Sequence, residues 1–195
     1  MSDITTRVSV VGEAVYPHLN KPDVRFNEYG EFKVTLKIGK QDASAMVKLI
    51  DQACEDSLAS AEKEAKGKKI KSAPKPYKLE GDNVFFKFKM RASGKNKKTN
   101  EMFSQRPALF DAKKNPISTS QSIWGGSLMK VAYQLIPYHT PMLGAGVSTR
   151  LKAVQILKLV EGQSQNIFKE EDGFETATPK SNSNGTPKVQ ESTDF

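Results

Sequence analysis

Residues 84–91 read VFFKFKMR, and this stretch decides the fold. In an extended strand successive side chains point to opposite faces. The apolar face consists of Val84, Phe86, Phe88 and Met90. The opposite face consists of Phe85, Lys87, Lys89 and Arg91. The pattern predicts a half-buried β-strand with a cationic outer face.

Three like charges on one strand face repel each other unless an anionic partner neutralises them. A phosphate backbone is one such partner. Lysines also occur on solvated edge strands, where they prevent edge-to-edge aggregation. The strand alone therefore leaves both interpretations open.

The composition predicts one domain with a sizeable core and a tail. The chain has 195 residues, of which 37% are hydrophobic, and it lacks any apolar run of the roughly 18–20 residues that span a bilayer. Its first residues also lack the apolar stretch of a secretory signal. A single cysteine, Cys54, argues against an internal disulfide and a structural zinc site. We expect a soluble, unexported protein without a metal or other cofactor.

The net charge of +8 is unevenly distributed along the chain. Residues 1–160 carry +12, and residues 161–195 carry −4. A basic body attracts polyanions, and an acidic end competes with them for the same surface. The charge pattern favours a nucleic-acid partner.

The first half of the chain predicts strands around one helix. Residues 5–15 predict a strand, residues 16–30 an exposed loop, and residues 31–38 a strand with Lys33 facing outward. From Asp42, which we expect to cap it, the apolar period becomes that of a helix of about 22–25 residues. Gly67 predicts its stop.

The segment that follows the helix, residues 66–78, is rich in lysine and proline. Such a segment could wrap a nucleic-acid backbone, with Tyr77 stacking on a base. A lysine-rich solvated linker would have the same sequence.

The second half predicts more strands. We expect a hairpin turn at residues 94–100, a short strand near Phe110, and long strands at residues 128–138 and 146–160. The alternation slips after Leu151, which predicts a β-bulge. Trp124 precedes two glycines and is interpreted either as a stacking platform or as a core anchor.

Residues 161–195 lack hydrophobic periodicity and are predicted to be disordered. The chain ends in Asp194 and Phe195. An aromatic ring is uncommon in such a polar tail, which suggests an element that docks on a partner.

The predicted fold class is all-β. Antiparallel strands without βαβ alternation favour a small barrel. We predict a five-stranded antiparallel OB-fold barrel in residues 1–160, with one inserted α-helix.

Short motifs occur in order over nearly the whole chain. They are KPD at 21–23, FKV at 32–34, GKK, KPY and EGD within 67–82, FKFK at 86–89, AS and KKT within 92–99, GGS, KV and PY within 125–138, GAGV at 144–147, and the terminal DF. In this set the chain resembles the single-stranded DNA-binding proteins of short-tailed, podovirus-type bacteriophages.

The resemblance implies a homodimeric OB-fold protein that coats single-stranded DNA in the cytoplasm of the infected host. It implies that the tail contacts the phage DNA polymerase and helicase-primase. Two departures are a tail that carries three lysines and a short loop at residues 24–30. The positions that carry over as DNA contacts are Lys66, Lys87, Lys89, Lys130 and Tyr138. Phe195 carries over as the aromatic of the tail.

Lys33 and Arg91 are DNA-contact candidates on strand spacing alone. Three other functions stay open at this point. An RNA-binding OB-fold module would use the same groove, a nuclease would need clustered carboxylates or histidines, and an adaptor would act mainly through its tail. We interpret His18 and His139 as loop residues, so we do not expect an enzyme.

Overall fold

The structure is a computed structural model that describes residues 5–25, 27–96 and 99–160. The predictions for residues 161–195, including those for Asp194 and Phe195, lie outside the described residues. The first strands and the helix are β1 (Thr6–Val8), β2 (Gly12–Asp23), β3 (Glu31–Gly39), α1 (Lys40–Glu64), β4 (Tyr77–Glu80) and β5 (Asn83–Arg91). The remaining strands are β6 (Ser93–Lys95), β7 (Met102–Ser104), β8 (Ala108–Phe110), β9 (Leu128–Thr140) and β10 (Gly144–Lys158).

Five long strands close into a ring in the order β2, β3, β5, β10, β9 and back to β2. Four of these junctions are antiparallel, and the junction between β5 and β10 is parallel. A closed five-stranded barrel of this kind is the OB-fold. The predicted fold class is confirmed, with this one parallel junction that local sequence patterns did not reveal.

The alternation of β5 is confirmed. The side chains of its apolar face are buried, Phe85 on the outer face is half-buried, and Lys87, Lys89 and Arg91 are exposed. Inside the barrel the ring of Phe88 packs against Tyr133 with ring centroids 5.2 Å apart. Burial of the apolar face thus fixes the outward direction of the three cations.

The exposed loop predicted at residues 16–30 is wrong for its first half, because β2 continues to Asp23. Ala14 and Leu19 are both buried, although they are five positions apart and would point to opposite faces of a regular strand. Between Val15 and His18, β2 has one residue more than β3, so the pairing shifts register there. Tyr16, whose φ is +48, lies in this bulge. The β-bulge therefore restores the inward direction of the later residues, which simple alternation could not predict.

The helix α1 buries one side against the barrel, as its period predicted. The hydroxyl of Ser57 donates a buried hydrogen bond of 2.9 Å to the carbonyl of Gly146 on β10. The predicted capping by Asp42 is wrong: α1 begins at Lys40, Gly39 is the N-cap without a side-chain bond, and Asp42 lies in the first turn. A carboxylate there is still favourable for the helix dipole.

The predicted stop is confirmed. Gly67 follows the helix at φ +81, and its N–H donates to the carbonyl of Glu62 at 2.9 Å. An orphan carbonyl at the helix end is thereby satisfied.

The lysine-rich segment is built into the barrel wall rather than mobile. Ala145 on β10 donates its N–H to the carbonyl of Lys71 at 2.9 Å and accepts from the N–H of Ala73 at 2.8 Å. Tyr77 is 8% exposed, and its ring lies 5.7 Å from that of Phe86. The prediction that Tyr77 stacks on a base is therefore wrong, because the barrel buries its ring.

The side chains of this segment are also held by the helix. Lys75 Nζ and the Tyr77 hydroxyl both lie 2.8 Å from Asp51 Oδ1 on α1. The Asp51 carboxylate raises the pKa of Lys75 to about 12. Lys75 is thus engaged within the protein.

The hairpin and the strands predicted for the second half are confirmed, but the interpretation of His18 and His139 as loop residues is wrong, because they lie on β2 and β9. β6 and β7 form a hairpin, β8 lies near Phe110, and β10 shifts register against β9 between Leu151 and Ala153. Among the described residues no helix combines the length and the apolar character needed to cross a membrane.

Gly144 should tolerate no side chain. A Cβ at this residue would lie 1.9 Å from the carbonyl oxygen of Lys71, and its φ is +91. We expect Gly144→Ala to lower the free energy of unfolding by roughly 3 kcal/mol or more, because a backbone clash adds to the left-handed strain. Chemical denaturation measures the change.

The matched control is Gly67→Ala. Gly67 has φ +81, but nothing lies within 4 Å of a Cβ placed there. It should cost only the strain, about 1–2 kcal/mol. Equal losses in the two variants would show that the close approach of residue 71 contributes nothing.

Candidate nucleic-acid interface

The outer faces of β3 and β5 form one cationic surface, which we call the ladder face. In the antiparallel register Lys33 lies opposite Lys89, and Thr35 lies opposite Lys87. Arg91 lies opposite Glu31 at the end of the sheet. The structure therefore brings four predicted contacts together: Lys33, Lys87, Lys89 and Arg91.

Acidic residues at the margin neutralise part of this surface. Lys33 Nζ lies 2.5 Å from Asp23 Oδ2, and Lys89 Nζ lies 3.7 Å from Glu31 Oε1. Lys33 and Lys89 therefore have anionic partners within the protein and do not depend on an external anion for neutralisation. Among the ion pairs formed by described residues, none involves Lys87. Lys87 is thus a cation of the ladder face that the described residues leave open to an external anion, and Arg91, which forms none of these ion pairs, is another.

Asp23 is the most strongly perturbed carboxylate of this region. The ammonium of Lys33 and the N–H of Arg25, which donates at 3.0 Å, lower its pKa from 3.8 to about 2. The Asp23 side chain is 7% exposed. Asp23 thus stays ionised and holds Lys33 against β2.

The backbone of Lys87 joins three elements of the wall. Its N–H donates to the carbonyl of Pro76 at 3.0 Å, and its carbonyl accepts from the hydroxyl of Thr149 on β10. Thr149 is buried. Because both backbone groups of Lys87 are bonded, its outward side chain extends from a fixed point.

Arg150 on β10 extends the ladder face and was missed by the sequence analysis. It is exposed and lies beside Lys89 across the parallel junction. Gln134 of β9 follows on its other side. The pairing of β5 with β10 joins distant parts of the chain, so no local signal placed Arg150 here.

The other three predicted contacts lie elsewhere on the barrel. Lys130 and Tyr138 are on β9, four residues to either side of Gln134 and opposite Gln155 and Gly146. Lys66 follows α1 at φ +53. Lys130 lines a separate pocket of about 330 Å³, whose other lining residues include Val8, Phe110, Lys114 and Ala132. The roles predicted for these three residues stay predictions.

Trp124 lies at the surface, with 54% of its area exposed. Of its two interpretations, the core anchor is wrong. The backbone N–H of Trp124 donates to the carbonyl of Val160 at 3.2 Å, and this hydrogen bond fixes the backbone of Trp124 near the end of β10.

Metal-ligating side chains are scattered within the part of the chain that the structure describes. There, no group of three or more His, Cys, Asp or Glu side chains is placed to hold a metal ion. The sole cysteine, Cys54, is buried in α1, and burial raises the pKa of its thiol.

The ring of strands and the cationic outer face define an OB-fold barrel of the kind that binds oligonucleotides. The family model described as "Single-stranded DNA-binding protein, Bacteriophage T7" matches residues 11–159. The chain belongs to this family of phage proteins.

Two relatives cover most of the chain. The single-stranded DNA-binding protein of Enterobacteria phage T3 is 32% identical over 201 residues, which cover 90% of this chain and 87% of the relative. That of Escherichia phage T7 is 33% identical over 165 residues, which cover 74% and 71%. The resemblance seen in the sequence motifs is confirmed.

Solved structures agree with the barrel. The crystal structure of gp2.5, a single-stranded DNA-binding protein encoded by bacteriophage T7, has a TM-score of 0.74 and 28% identity, and the match covers 89% of this chain and all of gp2.5. The protein of bacteriophage Enc34 in complex with ssDNA has a TM-score of 0.57 and 17% identity, covering 81% of this chain and 89% of the neighbour. The Enc34 match supports the fold alone.

The carboxyl group of Asp23 should titrate with a midpoint near pH 2, and Lys33→Met should raise that midpoint because it removes the largest cause of the shift. A depressed pKa stabilises the folded state above pH 3.8, and this contribution is lost as the pH falls through about 2. Carboxyl NMR measures both midpoints. An unchanged midpoint in Lys33→Met would disprove the ion pair.

Proposed function

We propose that this protein binds single-stranded DNA without sequence preference and coats it during phage DNA replication, recombination and repair. One observation carries the proposal: Lys33, Lys87, Lys89 and Arg150 form a continuous cationic surface on neighbouring strands of an OB-fold barrel. Oligonucleotides bind this face of OB-folds. The names of the T3 and T7 relatives support the same function.

The chemistry of the ladder face accounts for indifference to sequence. Lysine ammonium groups on an outer sheet surface neutralise phosphates, and phosphate contacts carry no sequence information. Unpaired bases add affinity by stacking on aromatic rings, which every base can do. Lys66, Lys130 and Tyr138 are proposed as further contacts, and Lys130 and Tyr138 lie on β9 four residues to either side of Gln134.

The same proposal covers partners and location. We infer a binding rather than a catalytic role, a homodimer, and a tail that contacts the DNA polymerase and helicase-primase of the phage through Asp194 and Phe195. The protein would act in the cytoplasm of the infected bacterial host. Family membership supports these inferences.

Competition between single- and double-stranded DNA at two salt concentrations tests the function. Single-stranded DNA should bind more tightly than double-stranded DNA at both concentrations. The slope of log K against log salt concentration should be about −0.7 for each phosphate neutralised. An affinity for oligothymidine that is flat in salt would refute this mechanism. Stronger competition by oligouridine than by oligothymidine of equal length would favour the RNA-binding alternative.

Charge reversal on β5 should weaken binding to all single-strand sequences alike. We expect Lys87→Glu to have the larger effect and Lys89→Glu the smaller, because Glu31 already neutralises part of the charge on Lys89. Lys87→Ala should reduce the salt slope by about 0.7, the contribution of one phosphate. Fluorescence anisotropy of a labelled oligonucleotide measures each constant.

Lys48→Glu is the matched control for these variants, since Lys48 is an exposed lysine of α1. It makes the same change in net charge away from the ladder face. If Lys48→Glu weakened binding as much as Lys87→Glu, net charge rather than the ladder face would account for the affinity.

Deleting residues 193–195 separates strand binding from partner binding. Binding to oligothymidine should persist or tighten, because the deletion removes one acidic side chain of the tail, Asp194, and contact with the polymerase should be lost. Pull-down of the phage polymerase together with anisotropy measures both properties. A truncated chain that no longer binds the strand would contradict this division of roles.

A further inference from the structure

Tyr16 and Trp124 line one groove beside the ladder face. Tyr16 is 83% exposed and Trp124 is 54% exposed, although both are large aromatic residues. The groove has a volume of about 560 Å³, and Pro17, His18 and Gly125 also line it. Its aromatic surface takes no part in the barrel core.

The backbone of Tyr16 has an uncommon conformation that burial does not explain. Its φ of +48 lies in the left-handed region, at the bulge of β2. A bulky residue costs free energy there, and bulges often redirect a side chain beside a functional site. The bulge returns Leu19 to the core, but Tyr16 itself presents its ring to solvent, so core packing accounts for the bulge and not for an aromatic side chain at this strained position.

The segment that carries Trp124 is tied to β2 on both sides of Tyr16. On one side the N–H of Gly126 donates to the carbonyl of Ala14 at 2.9 Å. On the other side the amide of Asn20 donates to the carbonyl of Thr119 at 3.0 Å. The groove is thus preformed, which reduces the entropy lost when a ligand binds.

The groove is continuous with the cationic surface. On β2, Val15 lies opposite Thr35 and His18 lies opposite Lys33, so Tyr16 is next to the middle of β3. From β2 to β10, the order across the sheet is the groove with Trp124 and Tyr16, then Lys33 on β3, Lys89 on β5 and Arg150 on β10.

We propose that Tyr16 and Trp124 form a base-stacking subsite for an unpaired nucleobase of the strand whose phosphates lie on the ladder face. This inference rests on the proposed function. The occupant combines an aromatic base with an anionic backbone, which matches an aromatic groove bordered by cations. An apolar side chain of a partner protein would fill the groove but would make no use of the cationic surface that borders it.

The sole tryptophan of the chain makes the subsite directly observable. Saturating oligothymidine should quench the emission of Trp124 because a base stacks on its ring. An abasic oligonucleotide of equal length supplies the same phosphates and should bind more weakly without quenching. Anisotropy of the labelled strands reports binding independently of the tryptophan.

Ring-removing variants test the contribution to affinity. Trp124→Ala should weaken oligothymidine binding about tenfold and leave abasic binding unchanged, and Trp124→Phe should keep most of the affinity. The matched control is Leu157→Ala, because Leu157 is 39% exposed and lines a different pocket. The affinity of the Leu157→Ala variant for oligothymidine should equal that of the native chain.

Tyr16→Gly separates binding from a structural role. Glycine adopts a positive φ without strain, so the variant should unfold at the same or a higher temperature. It should nevertheless bind oligothymidine more weakly. A variant that unfolds at a lower temperature and binds like the native chain would assign Tyr16 to structure and overturn its part in the subsite.

The outcomes distinguish this inference from the function on which it rests. Full binding by anisotropy with unchanged tryptophan emission would overturn the subsite and leave strand binding intact. Native affinity in Trp124→Ala would do the same. Emission that changes with protein concentration in the absence of DNA would assign the groove to a second copy of the chain. Failure of every oligonucleotide to bind would overturn both proposals.

Discussion

The barrel depends on how its two parallel strands, β5 and β10, are joined. They meet directly at a single pair, Lys89 beside Arg150. Away from this pair, the lysine-rich segment lies between the two strands. Ser72 forms a bridge with Ala145 of β10, and β4 pairs with β5. Without this segment the backbone groups of both strands would lack partners inside the wall. Barrel closure thus explains why a polar linker is ordered.

This closure accounts for several sequence features at once. Gly144 and Gly146 lie where the segment passes, and a Cβ on Gly146 would come within 2.9 Å of the Cβ of Ala73. The closure also positions the functional surface. It bonds both backbone groups of Lys87 and places Arg150 next to Lys89, so the same contacts that complete the barrel align the cations.

Neighbouring carboxylates neutralise part of the positive charge on the ladder face. Asp23 holds Lys33 strongly enough to lower its own pKa to about 2, and Glu31 stands 3.7 Å from Lys89. These marginal acids reduce repulsion in the free protein and leave Lys87 available to a polyanion. A phosphate that binds Lys33 must compete with Asp23, so the cations of this surface are not equivalent.

The sequence by itself determined the elements whose pattern is local. Alternation identified β3 and β5 and the direction of their cations, helical periodicity identified α1, and the slip after Leu151 identified the bulge of β10. Burial of apolar side chains enforces these patterns within each element. Alternation failed at β2, because a residue with positive φ resets the phase and two prolines mimic a loop.

Only the tertiary structure decided which side chains meet. It placed Arg150 beside Lys89, moved Lys130 and Tyr138 to other parts of the surface, buried Tyr77, and exposed Trp124 beside Tyr16. The physical reason is that ring closure pairs strands far apart in sequence. Register across such junctions is set by the whole barrel, whereas a sequence pattern records only the two faces of each strand.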